Sequence, residues 1–153
     1  MLLDTNLFLS LNSTVKMSTG VSVDDSCVTK FNDIKLSKLK ARYVIYKIDE
    51  GMIKEEHISM DGKFDDFLAQ IPEDDCRYAL YDMEFTTNDG RTTSKLVLIT
   101  WAPDTAKVKS KMVYAGSKEA LHRAFTGVGI KINATDLSEL TEEVVTDACK
   151  KFA

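Results

Sequence analysis

Hydrophobic positions along the chain change their period several times, and each change marks an element. Val28, Phe31 and Ile34 recur at helical spacing within Val23 to Leu36, where Asp24 or Ser22 can cap a helix. Arg42 to Ile48 and Met52 to Ile58 are apolar-rich runs around Asp49-Glu50-Gly51, the pattern of a hairpin. Phe64, Phe67, Leu68 and Ile71 line one face of a short helix that Pro72 ends. Tyr78 to Phe85 and Lys95 to Trp101 predict two strands joined by Thr87-Asn88-Asp89-Gly90, a second hairpin turn. Leu96 to Ile99 is continuously apolar, so that strand is expected to be central, with both faces covered. Pro103-Asp104 opens a long helix running to about Phe125, with Asp104 as its cap and Gly127 and Gly129 as breakers. Ile130 to Asn133 predicts a short strand. Asp136 and Glu139, spaced as in a capping box, start a last helix ending near Lys150. The sum is a layered α/β arrangement of the α+β type: a five-stranded mixed sheet sandwiched between helices.

Nothing in the remaining pattern divides the chain. It has 153 residues, no internal repeat and no linker, so residues 17–153 are expected to form one domain. Residues 1–16 hold the short apolar run Leu7-Phe8-Leu9-Ser10-Leu11, but Asp4 stands where a signal peptide carries positive charge. They are read as a flexible N-terminal extension. The net charge of −4 disfavours a general nucleic-acid binder, and no stretch approaches the ~20 apolar residues of a membrane span. Cys27, Cys76 and Cys149 are odd in number and form no CxxC pair, which fits reduced thiols in the cytosol better than zinc or a redox motif. The sequons at Asn12 and Asn133 matter only for a secreted chain.

The long helix says more about function. Wound at about 100° per residue, residues 104–125 place Ala106, Ser110, Val113, Ser117, Ala120, Leu121 and Ala124 on one side. Opposite them lie Val108, Met112 and Ala115, flanked by Lys109, Lys111, His122 and Arg123. One buried face leaves Met112 unexplained, so the second stripe is read as an exposed apolar ridge with basic edges. Methionine suits a helix that enters a partner's apolar groove, and flanking cations steer it toward an acidic partner.

At this point the residues become recognisable. Tyr78-Ala79-Leu80-Tyr81-Asp82-Met83-Glu84-Phe85, then Lys95 through Trp101-Ala102-Pro103-Asp104-Thr105-Ala106, then Lys109-Ser110-Lys111-Met112-Val113-Tyr114-Ala115, closely resemble the ADF/cofilin family. The resemblance covers about residues 17–150. It implies the actin-depolymerising-factor homology fold and an actin-binding protein that disassembles filaments by depolymerisation and severing. It also implies a monomer, without cofactor or metal, in the cytoplasm on the actin cytoskeleton, with the nucleus as a second location. Lys109, Lys111 and Met112 match the residues that enter the cleft at the barbed end of an actin subunit. Arg123 and His122 stand at basic positions further along that helix. Ser18-Thr19-Gly20-Val21 matches the N-terminal segment that also touches actin, and Thr19 aligns with the family's inhibitory phosphoserine, with Ser18 beside it. For the neighbouring subunit of a filament, Lys95 and Asp147 keep family positions, while Arg91, Lys150 and Lys151 stand in for cations missing at Thr93 and Ala148. Lys95, Lys109, Lys111 and Lys118 match a cluster that binds phosphoinositide headgroups. The alternative within this fold is a coactosin-like filament-side binder, or a monomer-sequestering protein, without strong severing. The Lys109/Lys111/Met112 helix and Gly20-Val21 favour monomer binding and disassembly.

Catalysis finds no support in the residues. The two histidines, His57 and His122, belong to no nucleophile–base constellation. Asp65-Asp66 and Asp74-Asp75 are read as solvated charges on a helix edge or loop, and Gly127-x-Gly129 as a helix stop, not a dinucleotide loop.

Overall fold

In the computed structural model, which describes residues 20–152, both hairpin signals become antiparallel pairs. The sheet holds β1 (Ser22–Val23), β2 (Tyr43–Asp49), β3 (Met52–Ser59), β4 (Arg77–Thr86), β5 (Thr92–Trp101) and β6 (Ile130–Ala134). Its order is β1-β3-β2-β4-β5-β6, with β1–β3 and β5–β6 parallel and the other pairs antiparallel. Among the described residues the flanking α-helices are α1 (Asp25–Lys35), α2 (Phe64–Gln70), α3 (Val108–Ala124) and α4 (Glu142–Lys150). The β2–β3 turn places Glu50 and Gly51 at positive φ (52° and 76°), the left-handed pair that a tight hairpin requires. The β4–β5 turn closes through Thr87 N to Arg91 O at 2.7 Å and Gly90 N to Thr87 O at 3.0 Å.

Alternation along the strands builds two cores. Tyr78, Leu80 and Leu98 face one side, where Phe31 of α1 and Tyr114 and Leu121 of α3 close over them. Tyr81, Met83, Val97, Ile99 and Trp101 face the other, under Phe67 of α2 and Val145 and Cys149 of α4. The uninterrupted apolar run of β5 is therefore covered on both faces, as its pattern predicts, between β4 and β6.

The layered fold agrees with the sequence reading, and three details correct it. Among the described residues the sheet has six strands, not five: Ser22, read as a possible cap, and Val23, read as the first residue of a helix, pair in parallel with Met52–Ile53. Asp24 then caps α1, its carboxylate accepting from Ser26 N. The long helix begins at Val108, not near Asp104: Asp104 and Ala106 belong to a separate turn (Ala106 N to Pro103 O, 2.9 Å), and Lys107 is extended (φ −64°, ψ 143°), so the helix starts only after it. Asp136 caps a single 3-10 turn, Leu137–Glu139, and the last α-helix starts afresh behind Thr141, whose hydroxyl accepts from Val144 N at 3.1 Å.

Candidate functional site

The helix α3 meets the sheet through large side chains, not only through the small stripe. Tyr114, Ser117 and Leu121 are buried, with Ser110, Val113, Ala120 and Ala124 half-buried beside them. Two bonds fix its register. The Tyr114 hydroxyl accepts from Ile48 N at 2.9 Å, and the Tyr78 hydroxyl donates to the Tyr114 carbonyl. Ile48 lies beyond the stretch of β2 that pairs with β4, residues 43–46, so its amide meets a side chain instead of a strand carbonyl. Burial holds both tyrosine hydroxyls protonated by raising their pKa, with the neighbouring hydroxyl adding to the effect at Tyr78.

With that face locked, the ridge lies outward. Val108 is 68% exposed and Met112 67% exposed, and Ala115 is exposed next along the stripe. Lys109 is exposed, while Lys111 is half-buried and donates from Nζ to Asp104 O at 3.3 Å. Val108 and Met112 are the two most exposed of the large apolar side chains among the described residues, and they lie one turn apart on the same face of α3. The strand β1 packs against α3, so the segment Gly20–Val23 runs beside the ridge-bearing helix. Gly20 is exposed, but Val21 is buried in the core shared with Tyr114 and Leu121, an anchor for the segment more than a free contact. Ser18, Thr19 and residues 1–16 lie outside the described residues.

Further along α3 the expected basic positions separate. Arg123 is exposed. The His122 side chain is only 13% exposed, with Nδ1 3.9 Å from Glu119 Oε2. Burial, followed by the charge of Lys131 on β6, lowers its pKa from the usual histidine value, so at neutral pH it is not a cation.

The second set of residues gathers on the other side of the sheet. Lys150 at the end of α4 lines a shallow pocket with Thr87, Asn88, Asp89 and Arg91 of the β4–β5 turn. Arg91 holds Asp89 across it, Nε to Oδ2 at 3.1 Å. Lys95 shares the face of Val97 and Ile99, close enough to Cys149 of α4 to offset part of the rise that burial gives its thiol. Asp147 and Lys151 are exposed on and just after α4. Ala148 is half-buried against the second core, which explains why no long cation stands there. Of the four lysines matched to phosphoinositide binding, three lie on α3 and one on β5. Lys109 and Lys111 lie on α3, Lys118 donates to Asn133 Oδ1 of β6 at 3.2 Å, and Lys95 is on the opposite sheet face.

One group near α3 was not singled out by sequence. Asp75, read as a solvated loop charge, accepts from Arg77 at 2.8 Å, from Cys76 N at 2.9 Å and from Ser110 of α3 at 3.3 Å. Burial alone would raise its pKa, but the hydrogen bonds from Arg77 and Cys76 bring it below the usual carboxylate value. Only the arginine two residues on hinted at such a role. A cavity of about 510 Å³ between α2 and the loops after β5 and β6 is lined mainly by apolar groups such as Leu68, Ile71 and Leu137, and none of the matched contact residues borders it. Among the described residues no group of three side chains is arranged to hold a metal ion, and no helix is long and apolar enough to cross a membrane.

Comparison with known proteins decides the lineage. The family described as cofilin/tropomyosin-type actin-binding protein matches residues 20–150. The chain belongs to the ADF/cofilin family. It is 46% identical over 139 residues to cofilin from Yarrowia lipolytica, covering 88% of this chain and 90% of that protein. It is 47% identical over 131 residues to cofilin from Schizosaccharomyces pombe, covering 84% and 94%. The crystal structure of Streptomyces griseoflavus cofilin superposes with a TM-score of 0.79 at 42% identity, covering 86% of this chain and 98% of that one. The expected mixed sheet with flanking helices is thus an ADF/cofilin fold. The family is one of actin-binding proteins, not of enzymes, in agreement with the non-catalytic reading of the residues.

Proposed function

We propose that this chain binds actin monomers and filaments and promotes filament disassembly, with the ridge of α3 seated in a cleft of an actin subunit. The observation that carries the reading is the exposure of Val108 and Met112 between Lys109 and Lys111, on a helix whose other face is pinned by Tyr114. Seating the two apolar side chains removes them from water, worth about 1.5–3 kcal/mol each when complete. The lysines then add orientation and association rate more than affinity. The second surface, Arg91, Lys95, Asp147, Lys150 and Lys151, is on the far side of the sheet from α3, so it serves a neighbouring subunit without competing for the first. Disassembly, in preference to coactosin-like filament-side binding, is favoured by the Lys109/Lys111/Met112 helix, which suits a contact with a single subunit.

The test is Met112→Ala, alone and with Lys109→Ala and Lys111→Ala, assayed by monomer affinity and by filament cosedimentation. Truncating an exposed residue leaves stability within about 0.5 kcal/mol. Truncating a buried interface anchor costs about 2 kcal/mol or more, roughly thirtyfold in affinity. Unchanged monomer affinity in the triple variant, with an intact denaturation curve, would refute the proposal.

A further inference from the structure

The first turn of α3 lacks the usual means of holding a helix start. Its N-cap is Lys107, which makes no side-chain cap hydrogen bond, and the first turn contains no acidic residue. A helix N-terminus leaves amide groups unsatisfied and carries partial positive charge, so a turn bearing Lys109 and Lys111 is expected to fray. The structure supplies a carboxylate from outside the helix. Asp75 Oδ1 accepts from Ser110 Oγ at 3.3 Å, while Asp75 Oδ2 accepts from Arg77 at 2.8 Å. Arg77 is buried and is itself held twice by Glu56 of β3, Nε to Oε1 at 2.8 Å and a second bond at 3.3 Å, and by Cys76 O at 2.7 Å. A continuous line of charge-assisted bonds thus runs from β3 through the start of β4 to the first turn of α3. Ser110 is the residue between the two ridge lysines.

We propose that Asp75 is a positioning residue for partner binding: acting through Ser110, it fixes the first turn of α3 and so the directions in which Lys109, Lys111 and Met112 project. This rests on the actin-binding reading above for its functional half. Because Glu56 also neutralises Arg77, removing Asp75 does not leave a buried charge without a partner. Asp75 also accepts from Cys76 N, so Ser110→Ala, which leaves that bond and the Arg77 pair in place, is the variant that separates the anchor from the core.

A double-mutant cycle on the full chain tests it, using Asp75→Ala, Ser110→Ala and both together, with Ser110→Thr as the variant that keeps the hydroxyl. Two readouts are needed: actin-monomer affinity, and amide exchange across residues 111–114, the first amides of α3 with acceptors in that turn, against that of β4 and β5. Each alanine variant is expected to weaken monomer binding about three- to tenfold, the range of one ordinary hydrogen bond, since the Ser110–Asp75 contact is long and acts on binding only through the turn. It should raise exchange in the first turn of α3 and leave the strands unchanged. The double variant should be no weaker than Asp75→Ala alone, and Ser110→Thr should recover most of the affinity. Additive losses, or exchange that rises equally in the strands, would overturn the positioning role, as would a first turn whose exchange does not change. If the unaltered chain fails to bind actin, the functional reading falls, while the exchange comparison still decides whether Asp75 holds the turn.

Discussion

Tyr114→Phe deletes one oxygen atom and asks how firmly the long helix is registered on the sheet. The ring itself is retained, 5% exposed, with its packing near Tyr78 at 5.0 Å between centroids. What disappears is the acceptor for Ile48 N–H at 2.9 Å. That amide lies past the end of the β2–β4 pairing, so no strand carbonyl of β4 replaces the hydroxyl. A buried amide without a partner costs about 1–3 kcal/mol, and the site is part-buried, so about 1–2 kcal/mol is expected. The companion bond, from the Tyr78 hydroxyl to the Tyr114 carbonyl, is a backbone contact and survives. Urea denaturation followed by Trp101, the only tryptophan, reads the loss as a lower midpoint at unchanged slope. At this chain length such a loss lowers the melting temperature by about 3–8 °C. A midpoint shift equivalent to under 0.3 kcal/mol, roughly the noise of extrapolation, would show that water satisfies Ile48 and that the hydroxyl does not register the helix.

Two further outcomes follow from the same surfaces. Because the pKa of His122 is lower folded than unfolded, the unfolded chain takes up its proton first as pH falls below the ordinary histidine range; stability should therefore decline from about pH 7 downward. The groups facing it are Glu119 and Lys118 on α3 and Lys131 on β6, and His122→Gln should flatten that part of the stability–pH curve; a slope identical to the unaltered protein would exclude His122 as its source. Thr93→Arg places a cation two residues from Lys95 on the same sheet face and should raise filament cosedimentation affinity about two- to fivefold, the range of one exposed charge contact; an equal rise in monomer affinity would show that the two surfaces are not separate.

Much of the fold can be read from local pattern because its strands carry long alternations and its hairpins carry turn residues with positive φ. β1 cannot be read that way: two residues offer no period, and their partner, β3, lies some thirty positions away. The helix starts near Asp104 and Asp136 mislead for a different reason. Both residues have the chemistry of a cap, but the extended Lys107 separates Asp104 from the helix, and Asp136 serves a turn too short to continue. At the site, the ridge of Val108, Lys109, Lys111 and Met112 is legible because solvent-facing apolar residues break the helical pattern. Tyr114, the peg opposite it, lies at the edge of the buried stripe, four residues from Ser110 and seven from Leu121, but its large ring does not fit a row of mostly small residues. Asp75 is invisible for the reason most charge networks are: its partners, Arg77 and Ser110, come from different elements, and only the folded chain brings Ser110 to it.

Two of the three cysteines give the molecule a built-in clock. Cys27 is buried in the core under α1 and α3, Cys149 in the core under α4, and both thiols are pushed up to about 11 by loss of solvent. Neither reacts with a thiol reagent until its own side of the sheet opens, because the thiolate is the reactive form and burial withholds it. The lag before each is modified therefore times a separate breathing event, one for the half of the molecule carrying the α3 ridge and one for the half carrying the α4 surface. Equal lags mean that the two halves open as a single unit. A shorter lag at Cys149 means that the half carrying α4 loosens while the half carrying the ridge stays set; on the proposed reading, a molecule stripped from one neighbour would then keep its hold on the other.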